Sequence, residues 1–279
     1  GMLTTNMPKV SCCLCTYDRY ELFKKSVDCF CRQTYPNKEL VIVTEGPREF
    51  KNKVTALLEV KRRDDIKTVF LEGERTLGEV RNISMKESTG HLYCQWDDDD
   101  FNHPKRLALQ IKQLIKEDAF ACFLQDQLHY YWEDNAIYWE KWAHDGAPER
   151  CNWIPGTIIM KKNDRYKYPE TGPKARASED VVLIDQLWRD YTVNGLKITK
   201  LSGHGYLQVY SFHGSRENHT NTFGKDHHMW LSTNCSYTCA HMLENRTLLE
   251  NSLDYINMRR KINVFGREGL AFEYDKDRA

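Results

Sequence analysis

The sequence predicts an α/β fold in which a mostly parallel central sheet is flanked by helices, and three observations carry that expectation. Four apolar, strand-like runs alternate with segments of helical period through the first hundred residues, the pattern of repeated right-handed crossovers. Polar residues gather after each of those runs, where a parallel sheet brings its loops together. The 279 residues are 41% hydrophobic, enough for a real core, yet no apolar run approaches the ~18 residues of a membrane span.

Val10 to Thr16 lacks a helical stripe and reads as the first strand; Leu22, Phe23, Val27 and Phe30 then recur at helical spacing. Tyr35-Pro36-Asn37 turns the chain into the Val/Ile-rich strand Glu39 to Thr44. Phe50 to Arg63 carries Val54, Leu57, Leu58 and Val60 on a second helix. Ile66 to Leu71 is the third strand, Leu77 to Glu87 a third helix closed by Gly90, and His91 to Trp96 a fourth strand running into Asp97 to Asp100. Pro104 suits a first helical turn, with Leu107, Ile111, Leu114 and Ile115 on one face behind it.

The second half is less regular. Phe120 to Trp132 and Ile137 to Trp142 read as strands joined by a turn at Glu133-Asp134-Asn135, with Gly156 to Met160 as another strand. Residues 163 to 177 are polar, contain two prolines and suit a mobile loop. Ser178 can then cap the helix that carries Val181, Ile184, Leu187 and Trp188. Tyr206 to His213 is a final strand, the chain turns polar from about Asn218, and Leu248 to Ile262 reads as a helix outside the main sheet.

Forty Lys+Arg balance forty Asp+Glu, so no global basic excess points to a nucleic-acid partner, and binding has to rest on local charge. The N-terminus lacks the charged-then-apolar layout of a signal peptide. The cytoplasm is therefore the expected compartment, with peripheral association at the inner face of the membrane left open. Ten cysteines are diluted along the chain, several inside apolar runs, so reduced, buried thiols are expected. Cys12 and Cys15 have C-x-x-C spacing but point to opposite faces of an alternating strand, which argues against a redox pair.

At the expected ligand edge, Thr16, Tyr17, Asp18 and Arg19 follow the first strand, Glu45 and Gly46 the second, Gly73, Arg75 and Thr76 the third, and four aspartates the fourth. Neither G-x-G-x-x-G nor G-x-x-x-x-G-K-[ST] follows the first strand, so a glycine loop does not cradle the phosphates. Four adjacent carboxylates after an apolar strand are costly unless a cation offsets them, and a divalent metal would do so. Period-2 alternation would put Asp97 and Asp99 on one face and Asp98 and Asp100 on the other.

Ordered motifs along these elements resemble family 2 glycosyltransferases, which have the GT-A fold with a Rossmann-like central sheet. Pro8-Lys9-Val10-Ser11 and Thr16-Tyr17-Asp18-Arg19 resemble the family's opening strand and nucleotide-contacting turn. Arg32-Gln33-Thr34-Tyr35-Pro36 and Glu39-Leu40-Val41-Ile42-Val43 resemble its next helix end and strand. Gly78, Arg81, Asn82 and Gly90 match the segment before the metal site, and Asp97 to Asp100 followed by Pro104 and Leu107 resembles the DxDD motif. Phased on Pro104, the resemblance implies Asp97 and Asp98 on the donor, Asp99 as metal ligand and Asp100 as a supporting carboxylate. Ser178-Glu179-Asp180 resembles the acidic pair of the acceptor-side helix, which implies Asp180 as catalytic base. His213 matches a histidine near the metal and diphosphate, the alternative being a strand-end histidine in the core. Asn221-Thr222-Phe223 with His227 and His228 resembles the segment after it.

The resemblance implies residues 2–228 as a GT-A domain, 2–103 its nucleotide-sugar half and 104–228 its mixed acceptor half, with 229–279 as a C-terminal helical extension. The implied reaction is inverting transfer from a nucleotide diphosphate sugar, a UDP-sugar first, to an acceptor hydroxyl, with Mn²⁺ or Mg²⁺ as cofactor. Donor-binding candidates are Thr16, Tyr17, Asp18, Arg19, Glu45, Gly78, Arg81, Asp97 and Asp98; metal candidates are Asp99 and His213. Glu45 replaces the aspartates the family often carries there and is a candidate contact to base or ribose, and Arg81 a candidate partner of the diphosphate. A helix-start position is expected to lower the basicity of Asp180.

The Q-x-x-R-W signature of processive synthases is missing, so single-sugar transfer is expected, within polysaccharide biosynthesis or onto a carbohydrate, lipid-linked or protein acceptor. A metal-dependent nucleotidyl or phosphoryl transferase would present similar carboxylates, and a non-catalytic nucleotide-sugar-binding protein is the remaining alternative. His227, His228, Cys235, Cys239 and His241 match no usual zinc spacing and read as packing. Trp132, Trp139, Trp142 and Trp153 suit either sugar stacking or core packing.

Overall fold

The computed structural model describes residues 7–213, 224–254, 256 and 261–275; the Asn221-Thr222-Phe223 segment lies outside them. Strands β1 (Val10–Cys15), β2 (Lys38–Thr44), β3 (Ile66–Phe70) and β4 (Leu92–Gln95) alternate with helices α1 (Tyr20–Cys31), α2 (Arg48–Lys61) and α3 (Leu77–Glu87), as the hydrophobic periods predict. After the four aspartates come β5 (Phe101–Asn102), α4 (Arg106–Lys116), β6 (Ala121–Leu124), β7 (Asp126–Tyr131), β8 (Ala136–Lys141) and β9 (Ile159–Lys161). The chain continues through α5 (Glu179–Asn194), β10 (Ile198–Leu201), β11 (Gln208–Phe212), α6 (Gly224–Asn234), α7 (Cys239–Glu244) and α8 (Arg246–Leu253). It closes with the hairpin β12 (Lys261–Gly266) and β13 (Gly269–Asp275).

Seven strands form the central sheet in the order β10-β6-β9-β4-β1-β2-β3, parallel except for β9. The alternation of β1 decides its two sides. Cys12 and Leu14 face α1, α2 and α4 through Phe23, Phe30, Phe50, Ile111 and Leu114. Cys13 and Cys15 face α3 and α5 through Val80, Leu183 and Leu187. Cys12 and Cys15 thus lie on opposite faces, and all ten cysteines are free. No helix among the described residues is long and apolar enough to cross a membrane.

A second sheet, β13-β12-β8-β7-β11-β5, packs beside the first. It contains the largest departures from the sequence reading. The single strand expected over Phe120 to Trp132 divides at Gln125: β6 joins the central sheet and β7 the second. Both flanks are fully buried, so hydrophobicity does not mark the break. It is made by Gln125, whose N–H donates to Leu201 and whose carbonyl accepts from Trp142. The helix expected over Leu248 to Ile262 stops at Leu253, and Ile262 belongs to β12, which pairs with β8. The C-terminal segment is therefore helical through α8 and then extends the second sheet; residue 228 falls inside α6.

Smaller corrections have local causes. Pro155 starts a 3₁₀ turn over Pro155–Thr157, delaying β9 to Ile159. Ser178 occupies the cap position of α5 but has a left-handed backbone, φ 65°, and makes no side-chain cap bond. Helix α3 ends at Ser88 rather than Gly90; a Cβ on Gly90 would stand 2.7 Å from the Lys9 carbonyl and Ser11 Oγ, so this glycine permits close approach. The loop expected to be mobile over 163–177 is anchored in its first part. Tyr166 and Tyr168 are buried, and the Tyr168 hydroxyl bonds Tyr93 at 2.7 Å and Gln95 at 2.9 Å. Trp139 and Trp153 are core residues, whereas Trp142 is 40% exposed.

Candidate active site

The four aspartates leave β4 in a turn, so they do not alternate as a strand would. Asp98 and Asp99 share Arg19, while Asp97 and Asp100 flank Gly156, a pairing different from the one period 2 predicts. Asp97 accepts from Arg81 Nη2 and Gln95 Nε2, each at 2.9 Å. Asp98 is buried and accepts from Thr16 Oγ1 at 2.8 Å and from Arg19. Burial pushes its carboxyl up to about 6, with Arg19 opposing. For Asp99 burial also raises the pKa, but the bond to His213 Nε2 at 3.2 Å and the charge of Arg19 outweigh it, and the group stays below the usual carboxylate range.

Asp100 is different again. It is buried, its Oδ1 has no hydrogen-bond partner among the described residues, and burial with the charges of Asp99 and Asp97 pushes its carboxyl far up. An orphaned buried carboxylate oxygen in so acidic a turn is what an additional cation would relieve. Asp99 oxygen and His213 nitrogen, side by side, form a donor set that fits Mn²⁺ or Mg²⁺.

Helix α5 reaches this turn through an ion bridge that single-sequence reading missed. Arg81 on α3, buried, donates from Nε to Glu179 at 3.0 Å and from Nη2 to Asp97 at 2.9 Å. Its guanidinium therefore ties two carboxylates together, with Nη1 left buried and without a partner among the described residues, and Glu179 is occupied by the same bridge. Asp180, next to it and half-buried, has its carboxyl pushed up to about 7 by burial and by the charge of Glu179. Burial and a like charge override the helix-start effect, reversing the expectation of lowered basicity.

Beside the turn lies a cleft of about 730 Å³ whose walls include Thr16, Tyr17, Arg19, Glu45, Arg75 and Arg176. Asp18 gives the turn after β1 its left-handed backbone, φ 46°. Glu45 has its pKa raised by burial. Arg75 has a buried Nε without a partner among the described residues, and Arg176, from the loop before α5, leans on Glu74 at 3.2 Å. Arg75 stood in the polar cluster expected at the ligand edge after the third strand, whereas Arg176 was missed, its only signal being basic character in a polar loop. Gly78 stands apart from the cleft walls, because a Cβ there would lie 1.6 Å from the Pro169 carbonyl. The glycine lets the 163–177 loop dock on α3.

A carboxylate turn and a cleft with basic walls thus lie at the carboxyl edge of a mostly parallel sheet, where ligands of α/β folds bind, with the acidic start of α5 beside them. The chain belongs to glycosyl transferase family 2, whose family model matches residues 11–185. It is 26% identical over 112 residues to an "uncharacterized glycosyltransferase" of Rickettsia bellii, a match covering 40% of this chain and only 16% of that relative. Two solved structures share the architecture at 14% identity. TarS from S. aureus, in complex with UDP-GlcNAc, has a TM-score of 0.58 over 88% of this chain and 72% of its own. The mannosyltransferase PcManGT from Pyrobaculum calidifontis, in complex with GDP-Man and Mn²⁺, has a TM-score of 0.56 over 90% and 75%. The fold is GT-A.

Proposed function

We propose that this protein moves a single sugar from a nucleotide diphosphate sugar to an acceptor hydroxyl with inversion, and that the donor site is the cleft beside Asp97 to Asp100. The observation that carries the reading is the Asp97–Arg81–Glu179 bridge, which joins the carboxylate turn to the start of α5 and leaves Asp180 beside it with a pKa of about 7. A group with that pKa is suited to accept a proton near neutrality. As the acceptor oxygen bonds to the anomeric carbon, Asp180 takes its proton and the bond from that carbon to the diphosphate breaks on the opposite face.

Asp97 and Asp98 are pre-set for the donor by Arg81, Gln95, Thr16 and Arg19, so they face it with little freedom left to lose. Arg75 and Arg176 put positive charge on the cleft wall where a diphosphate would lie. A divalent ion held by Asp99 and His213 would supply Lewis-acid stabilisation of the charge growing on the departing diphosphate. A UDP-sugar is the first donor to try, with GDP-sugars beside it because the two structural neighbours hold one of each.

A thermal-shift panel of UDP- and GDP-sugars, with and without Mn²⁺, tests the donor half of this reading. A ligand at one hundred times its Kd stabilises by about 2.7 kcal/mol. The reading expects one nucleotide sugar to raise Tm in the presence of the metal; a panel with no stabilising member would overturn it.

A further inference from the structure

We propose a second metal centre, separate from the aspartate turn, in which His129 Nδ1, Glu140 Oε2 and His227 Nε2 hold a zinc ion that fastens α6 to the β7–β8 hairpin. His129 and Glu140 are diagonal neighbours on one face of that antiparallel pair, where Gln127 stands opposite Glu140 and His129 opposite Tyr138. His227 comes down on them from α6. Its Nε2 is 2.9 Å from Glu140 Oε2, His129 Nδ1 is 3.1 Å from the same oxygen, and all three ligand atoms lie within 4.8 Å of one another. Arms of about 2.0–2.1 Å to a tetrahedral zinc place ligand atoms about 3.3 Å apart, close to the two spacings from Glu140 to the imidazoles.

The hydrogen-bond polarity around His129 leaves its Nδ1 bare. The Gly156 carbonyl can only accept, so Gln208 presents its Nε2 there, at 3.3 Å, and its Oε1 to Gln127. Gln127 in turn donates from Nε2 to Gln208 Oε1 at 2.5 Å, which turns its own Oε1 toward His129. His129 therefore donates from Nε2, at 3.1 Å, and carries a lone pair on Nδ1. That lone pair stands 3.1 Å from the Glu140 carboxylate oxygen, a contact that a cation bound by both atoms would relieve. A proton on Nδ1 would serve only if it pointed at the oxygen. The two atoms are not aligned for a hydrogen bond, and Nδ1 is a buried nitrogen without a hydrogen-bond partner among the described residues. A metal on the axis of the lone pair satisfies both atoms and His227 at once. Two imidazoles and one carboxylate, completed by a water as fourth ligand, would be a zinc set rather than a magnesium or calcium set.

The ion sits where α6 most needs it. The apolar grip of that helix on the hairpin is small, made by Leu231, with Cys235 just past the helix end, against Tyr131, Ala136 and Tyr138. The inference is independent of the sugar-transfer reading, and its test does not use activity. The 279-residue chain is stripped with chelator, reloaded with zinc and desalted, and zinc per chain is measured by mass spectrometry in the parent, His227→Gln, Glu140→Gln and Asp99→Asn. The parent and Asp99→Asn should retain one zinc per chain, and the two other variants should bind it at least about tenfold more weakly. Cobalt loaded into the unsubstituted protein should give the intense visible bands of a four-coordinate site, a readout that does not depend on any variant folding. No retained zinc in the parent, full zinc in both His227→Gln and Glu140→Gln, or a six-coordinate cobalt spectrum would each overturn the proposal.

Discussion

The aspartate turn and the His129 cluster lie on different sheets and differ in electrostatics. At the turn, Asp97, Asp98 and Asp99 share Arg19, Arg81 and His213, and one buried oxygen of the adjacent Asp100 is left over. In the cluster a single carboxylate, Glu140, stands between two imidazoles. The turn is an excess of hard negative oxygen, suited to a divalent ion that also meets a diphosphate. The cluster is a nearly neutral set of borderline donors suited to an ion that stays. A second contrast lies within two adjacent residues: Glu179 is spent on Arg81, while the Asp180 carboxylate is left with a raised pKa.

The sharpest way to break that second contrast is Asp180→Asn. We expect a rate loss of about 10²- to 10⁴-fold with donor affinity unchanged, read by initial rates and by calorimetry on the same preparation. A parental rate would make Asp180 a plain helix-start acid. Asp99→Asn tests the turn itself: donor affinity in Mn²⁺ should fall about a hundredfold, with the zinc content of the second centre untouched. Arg81→Gln should leave both Glu179 and Asp97 without their buried partner and cost about 3–5 kcal/mol, seen as a lower denaturant midpoint.

The smallest effect is the pH dependence. Asp180 is a base only when ionised, and its raised pKa means that it protonates as pH falls through about 7. The rate under subsaturating acceptor should therefore be level above that value and fall about tenfold per unit below it. Asp180→Asn should lose this limb of the profile, whereas an unchanged profile would assign it to another group.

How much of this was readable in the chain follows the same contrast. The aspartate turn is four consecutive letters after an apolar run, and Thr16 and Arg19 are one loop of the same sheet, so periodicity alone brings them to one edge. Its internal pairing was not readable, because the chain leaves β4 at Gln95 and a turn has no period of 2. The Arg81–Glu179 bridge joins residues 98 apart, and the zinc cluster draws on positions 129, 140 and 227; only tertiary packing makes either. The hairpin β12–β13 was missed because its alternating residues, exposed on one face, follow a helical segment without a strong breaker.

The central claim is that the bond cleaved lies between the sugar and the diphosphate. Phosphorus NMR of the protein incubated with a stabilising nucleotide sugar and Mn²⁺ reads that bond directly. Transfer to water or to an acceptor predicts nucleoside diphosphate as the sole phosphorus product, formed by the parent and suppressed in Asp180→Asn. Release of nucleoside monophosphate or pyrophosphate would put the cleavage inside the diphosphate or at the nucleotide, and would contradict the account.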